Sequence, residues 1–167
     1  GMLGELLAKY GLSICAGTIC LPFDTFTTFA EYIPTLKIQM EILKAFDVKY
    51  LVAMDFSPTA EVYAKKQGWG FAEYEANIFH KIRDLDKYTR EEYGVMTVWH
   101  PHGMTMIETK QEVDWMMDAC NVNLCMDTGH YAYINGELSM HDQSALDCMR
   151  KYADKIKYLH FKNVDLA

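Results

Sequence analysis

Residues Val95–Trp99 read VMTVW and run straight into His100-Pro101-His102-Gly103, and residues Val122–Met126 read VNLCM and run into Asp127-Thr128-Gly129-His130. A third run, IKYLHF at Ile156–Phe161, carries His160 near its end. Each is the length of a strand, and none alternates cleanly between apolar and polar, the pattern of strands buried on both faces in a parallel sheet. Working outward, Gly11–Ala16 (GLSICA) and Tyr50–Phe56 (YLVAMDF, with Asp55 near its end) have the same character. Five strands are therefore expected.

Helical patterns separate them. Thr109-Lys-Gln-Glu112 has the form of a capping box, with Thr109 at the N-cap and Glu112 three residues on. Val113, Met116, Met117 and Cys120 follow at i, i+3, i+4, i+7, one face of a helix. Phe71, Tyr74, Ile78, Ile82 and Leu85 mark a second helix, and Leu36, Met40 and Leu43 a third that starts near Pro34 rather than at Thr28, since proline fits only the first turn. Leu146, Met149, Tyr152 and Ile156 form a fourth face, with a cap between Ser139 and Asp142, and Leu3–Tyr10 is a short helix stopped by Gly11. Strict alternation of helix and strand implies parallel strands joined by right-handed crossovers, hence a doubly wound sheet or part of a (β/α)8 barrel, with an unrelated α+β domain as the bland alternative. No linker or low-complexity tract divides the chain, so residues 1–167 are expected to form one domain.

Composition narrows the function. With 16 Lys+Arg against 23 Asp+Glu the net charge is -7, which disfavours nucleic acid and anionic membranes as partners. No apolar run approaches the ~20 residues of a transmembrane helix, and no signal-peptide pattern opens the chain. Gly1 before Met2 resembles a residue left by tag removal, which would set the reading frame at Met2. The five cysteines (Cys15, Cys20, Cys120, Cys125, Cys148) are odd in number and lack CxxC spacing, so free thiols in a reducing cytoplasm are expected rather than a zinc knuckle. GxGxxG, P-loop and GxSxG motifs are all missing.

In parallel α/β folds the strand C-termini gather on one face, and sites are built there. Four of the six histidines (His100, His102, His130, His160) fall at predicted strand ends, together with Asp127 and Asp55. His100 and His102 stand at i, i+2, on the same side of an extended backbone. Imidazoles with one carboxylate suit Mn, Fe, Co or Zn better than Ca or Mg. Any one of these histidines is more often a structural residue, but their joint placement favours a site. His80 and His141 are expected at the solvated surface, Gly129 and Gly136 in turns.

The segments His100-Pro-His102-Gly103 with Thr105, Leu124-Cys-Met-Asp127-Thr-Gly-His130, Tyr152-Ala-Asp154-Lys-Ile156 and His160-Phe-Lys162 resemble the xylose-isomerase-like TIM-barrel superfamily, and within it the inosose dehydratase relatives. The resemblance runs over most of the chain and is strongest from Val95 to Asp165. It implies a divalent metal held by Asp127, His100 and His160. His100 stands where many relatives have a ligand glutamate. His130, Lys162 and Asp55 are the implied catalytic residues, and His102 and Trp99 are expected to face substrate. Asn163 departs from the usual aspartate after the lysine. The family barrel has eight strands and typically ~250 residues. The fold expected here is therefore a partial (β/α)8 barrel of five strands, corresponding to the third through seventh, without the first two strands and the last. Two sheet edges and an uncovered apolar inner face then predict a homodimer or higher oligomer.

The function expected on this basis is metal-dependent isomerisation, epimerisation or keto-inositol dehydration of a small sugar or inositol derivative. The alternative is a truncated, catalytically inactive remnant that oligomerises and at most binds metal or polyol. A hydrolase built on His100-x-His102 is weaker, and an endonuclease weakest given the acidic charge.

Overall fold

The computed structural model describes residues 1–23, 28–56, 64, 66–134 and 144–162. Its elements run α1 (Met2–Tyr10), β1 (Gly17–Leu21), a 3-10 turn (Phe29–Glu31), α2 (Ile33–Ala45), β2 (Tyr50–Asp55), α3 (Phe71–Tyr74), a π turn (Glu75–Phe79), α4 (His80–Tyr93), β3 (Met96–Trp99), α5 (Lys110–Cys120), β4 (Asn123–Asp127), α6 (Thr128–Ile134), α7 (Ser144–Lys151) and β5 (Ile156–His160). The expected Ser139 cap, Gly136 and His141 lie outside the described residues, as does Asn163.

All five strands are parallel and stand in sequential order β1-β2-β3-β4-β5. A doubly wound sheet reverses its strand order at a switch point, so this order is that of a barrel segment. Local signals place most elements as expected. Pro34 sits in the first turn of α2. Thr109 Oγ1 accepts from Glu112 N to cap α5, and Gly11 and Gly94 close α1 and α4 in the left-handed conformation.

The first strand falls later than expected, at Gly17–Leu21 instead of Gly11–Ala16. Gly11 and Leu12 are still tied to α1 through backbone bonds to Ala8 and Leu7. β1 is an edge strand, with Ile19 and Leu21 buried and Thr18 and Cys20 exposed. It therefore alternates in polarity, and the search for continuous apolar runs passes over it.

The main core lies between sheet and helices, where Leu21, Leu51, Ala53, Leu124 and Met126 meet Leu36, Met40, Ile82, Leu85 and Met116. The opposite face carries a smaller cluster of Val52, Val98 and Cys125, flanked by Tyr50, Met96 and Tyr158. Tyr50 of β2 and Tyr158 of β5 have two strands between them in the sheet, yet their rings lie 5.9 Å apart. The sheet is thus tightly curled, and Cys15 Sγ reaches Tyr158 OH at 3.2 Å across the hollow. This corrects the expectation of an uncovered inner face: Val52, Val98 and Cys125 are at most 2% exposed. No helix among the described residues is long and apolar enough to cross a membrane.

Candidate metal centre

Parallel register carries the site residues to one rim. Asp127 pairs with His160 across β4 and β5, and His100 follows directly on β3. Alternation places His100, Asp127 and His160 on the curled inner side, in step with Val98, Cys125 and Tyr158 below them. Asp127 Oδ2 is the hub, 3.4 Å from His160 Nδ1 and 3.8 Å from both His100 Nε2 and His130 Nε2. Lys162 Nζ reaches the same oxygen at 2.7 Å. The other carboxylate oxygen, Oδ1, accepts from the backbone N–H groups of Gly129 and His130, which fixes the carboxylate plane.

The imidazoles pack closely. Ring centroids of His100 and His160 lie 4.7 Å apart, and those of His102 and His130 lie 4.0 Å apart. His102 Nδ1 is 3.0 Å from Gly103 O. A carbonyl only accepts, so this nitrogen carries a proton and Nε2 is the ring atom left to face the rim.

Burial pushes the His100 imidazole down to about 3, and neighbouring His160 adds to this. Burial, then His102, lowers His130 as well. For Asp127 burial acts upward, but Lys162 and the His130 N–H outweigh it, and its carboxyl stays below the ordinary range. The result is two imidazoles, His100 and His130, biased toward their neutral form beside an ionised carboxylate.

The donors fit a divalent cation. His100 Nδ1 is buried without a hydrogen-bond partner, and Asp127 Oδ2 has none beyond its ion pair with Lys162. Ligands held ~2.1 Å from a tetrahedral ion stand roughly 3.4 Å from one another, close to the separations found around Asp127 Oδ2. Two further trios, His100 with Cys125 and His160, and His100 with His102 and His130, each keep their donor atoms within 4.8 Å.

The expected metal residues His100, Asp127 and His160 are brought together, with His130, His102 and Lys162 around them. Two expected residues are not. Trp99 points to the helix side of β3, is 1% exposed and stacks on Phe23 at 5.5 Å, so it is a core residue rather than a substrate contact. The cause is alternation: neighbours on one strand face opposite ways. Asp55 is likewise buried and accepts from Met106 N at 2.6 Å, which ties it to the loop after β3 and away from the Asp127 cluster. His80, expected at the surface, is half-buried with Nδ1 3.2 Å from Glu75 O.

Sequence reasoning missed Cys125, although its i, i+2 relation to Asp127 puts it on the same strand face. It also missed the anchoring of the loop from Pro101 to Thr109. Buried Lys66 binds Glu108 at 2.8 Å, Glu112 at 3.1 Å and Thr105 O at 2.9 Å. Tyr74 OH donates to Glu112 and to Met106 O.

Imidazoles and a buried carboxylate thus gather at the C-terminal rim of a curled parallel sheet, the rim on which α/β barrels build their sites. The profile of the xylose isomerase-like TIM barrel family matches residues 2–167, and the chain belongs to that family. Among curated proteins it is 26% identical over 170 residues to an inosose dehydratase from Geobacillus kaustophilus, covering 95% of this chain and 52% of that protein. It is 38% identical over 77 residues to an inosose dehydratase from Bacillus licheniformis, covering 44% of this chain and 23% of that protein. Among solved structures it is similar to an IOLI protein with a bound zinc atom (TM-score 0.65, 19% identity, 98% of this chain and 60% of that one). It is also similar to mannonate dehydratase from Streptococcus suis (TM-score 0.64, 16% identity, 95% of this chain and 59% of that one). The chain thus spans about half the length of the full-length curated match.

Proposed function

We propose that this chain holds a divalent cation, one of Mn, Fe, Co or Zn, on Asp127, His100 and His160, and acts on a keto-sugar or keto-inositol by isomerisation or dehydration. The observation that carries the reading is the convergence of three imidazoles on Asp127 Oδ2 within 3.8 Å. The family and its inosose dehydratase members support the substrate class.

When bound, the cation supplies Lewis-acid polarisation of the substrate carbonyl. The protein's own groups do the rest. His130 is biased toward its neutral form, its side chain is 20% exposed at the rim, and its backbone is fixed through Asp127. It takes the proton from the carbon beside the carbonyl. Returning that proton to the former carbonyl carbon, while the proton of the neighbouring hydroxyl passes to the carbonyl oxygen, isomerises the sugar, whereas delivering it to a departing hydroxyl on the next carbon releases water and leaves the double bond. Lys162 places a positive charge against the oxygen that becomes negative. His102, its Nδ1 held by the bond to Gly103, meets a substrate hydroxyl through Nε2. Among the described residues β1 and β5 are the outer strands of the sheet, and such edges support association of chains into a dimer or larger oligomer.

The test is metal content with turnover. The wild-type chain is expected to retain about one divalent cation per chain by elemental analysis and, with Mn²⁺ or Co²⁺, to dehydrate 2-keto-myo-inositol. Asp127→Ala is expected to lose both, and unchanged metal content in that variant refutes the ligand assignment. Metal binding without turnover of any keto-polyol favours the alternative, a chain that binds metal or polyol without catalysis.

A further inference from the structure

The ammonium of Lys162 lies 2.7 Å from Asp127 Oδ2, the same oxygen toward which the imidazoles converge. The two partners differ sharply in environment: the Asp127 side chain is 1% exposed and that of Lys162 46%. The carboxylate is fixed and the lysine has room to leave.

The lysine is also held in place deliberately by its neighbours. Thr128 Oγ1 donates to Lys162 O and accepts from Lys162 N, both at 3.0 Å, and so clamps its backbone to the start of α6. Beside the clamp, a Cβ on residue 129 would stand 2.6 Å from Lys162 Cβ. Gly129 is what allows the lysine stem to pass over the carboxylate.

We propose that Lys162 is an internal cation that competes with the divalent ion for Asp127, so that metal entry displaces the ammonium toward the substrate side of the rim. This rests on the metal-centre reading and adds a consequence to it: binding of the metal and delivery of the Lys162 charge to substrate are one event. Without the ion, the lysine compensates a carboxylate that burial would otherwise leave as a costly lone charge. With the ion, that compensation is redundant, and two cations on one oxygen repel.

The experiment is a Zn²⁺ and Co²⁺ titration of chelator-stripped protein, read by competition with a chromophoric chelator rather than by activity. Lys162→Gln is expected to tighten Zn²⁺ binding roughly tenfold or more, on the scale of a partly buried ion pair. Thr128→Val keeps the charge and removes both clamping bonds, and is expected to tighten binding by a smaller factor. That arm separates direct competition from a mere change in net charge. Wild-type binding with equal or weaker affinity in Lys162→Gln, or tightening in Lys162→Gln with none in Thr128→Val, overturns the proposal and leaves the metal centre standing. No binding in any of the three proteins overturns both.

Discussion

Replacing Lys66 by methionine tests whether the loop that carries His102 is held by buried charge. The Lys66 side chain is 4% exposed and lies between Glu108 and Glu112, whose side chains are 6% and 11% exposed. Among the described residues it is the only cation paired with either carboxylate. Methionine fills similar space but leaves two buried like charges facing each other, and removing one partner of such a pair costs about 3–5 kcal/mol. With a urea slope of roughly 2 kcal/mol/M for a domain of this size, the midpoint falls by roughly 1.5–2.5 M. Adding Glu108→Gln removes one stranded charge and is expected to recover part of the loss. The assay is urea unfolding followed by tryptophan fluorescence, with Trp99 in the core as a reporter. A midpoint shift below about 0.5 M refutes the reasoning, since it would mean that the carboxylates escape to water or take up protons at no great cost. Because Glu108 also accepts from Met104 N at 2.7 Å, the same variant should weaken substrate binding through His102.

Three further outcomes are expected. Stability of the chelator-stripped protein should fall on acidification from pH 6.5 to 5. Imidazoles of the unfolded chain take up protons near 6.5, while His100, held down at about 3, does not, and His130, also lowered, takes them up less readily than in the unfolded chain. The unfolded state binds more protons in that window, and His100 alone contributes a loss of about 2 kcal/mol. Asp127 has a lowered folded value, so its contribution is present above the ordinary carboxylate range and is lost only on falling through that lower value. A flat denaturation profile between pH 7 and 5 contradicts the neutral-imidazole account. Val98→Ala, at a fully buried position on the curled inner face, should cost about 2 kcal/mol in chemical denaturation; a loss below about 0.5 kcal/mol would show that this face is not a packed core. Light scattering at micromolar concentration should give a dimer or larger species, and a stable monomer would show that the edges of β1 and β5 need no partner.

Much of this architecture was legible in local sequence chemistry, because its signals are local. Pro34, Gly11, Gly94 and the Thr109–Glu112 box act within a single turn, and tertiary packing reinforces them. Strand ends with histidine and Asp127 were legible for a related reason: parallel topology converts position along the chain into position on one rim. What escaped depends on facts with no local signature. Trp99 is the exception, since alternation against His100 already turns it toward the helix side of β3. The tie of Asp55 to Met106 N joins residues 51 apart in sequence. A buried lysine such as Lys66 resembles any surface lysine until Glu108 and Glu112 close around it.

The metal-centre reading does not depend on a closed barrel, because its groups come from three consecutive strands and the turns after them. Pairing of Asp127 with His160 and of Trp99 with Leu124 fixes the relative height of β3, β4 and β5. Tyr50, Tyr158 and Cys15 brace the curl beneath them. What the five strands determine is the composition of the donor set. One carboxylate with three imidazoles at its hub, and a thiol one step below in Cys125, is richer in nitrogen and sulfur than an all-oxygen site. Such donors favour Zn, Fe or Co over Mg and Ca, by ligand softness and by the general order of divalent affinities. A chain that bound Mg²⁺ as tightly as Zn²⁺ at these residues would show that oxygen ligands from outside His100, Asp127 and His160 dominate the site, and the assignment of His100 would fall first.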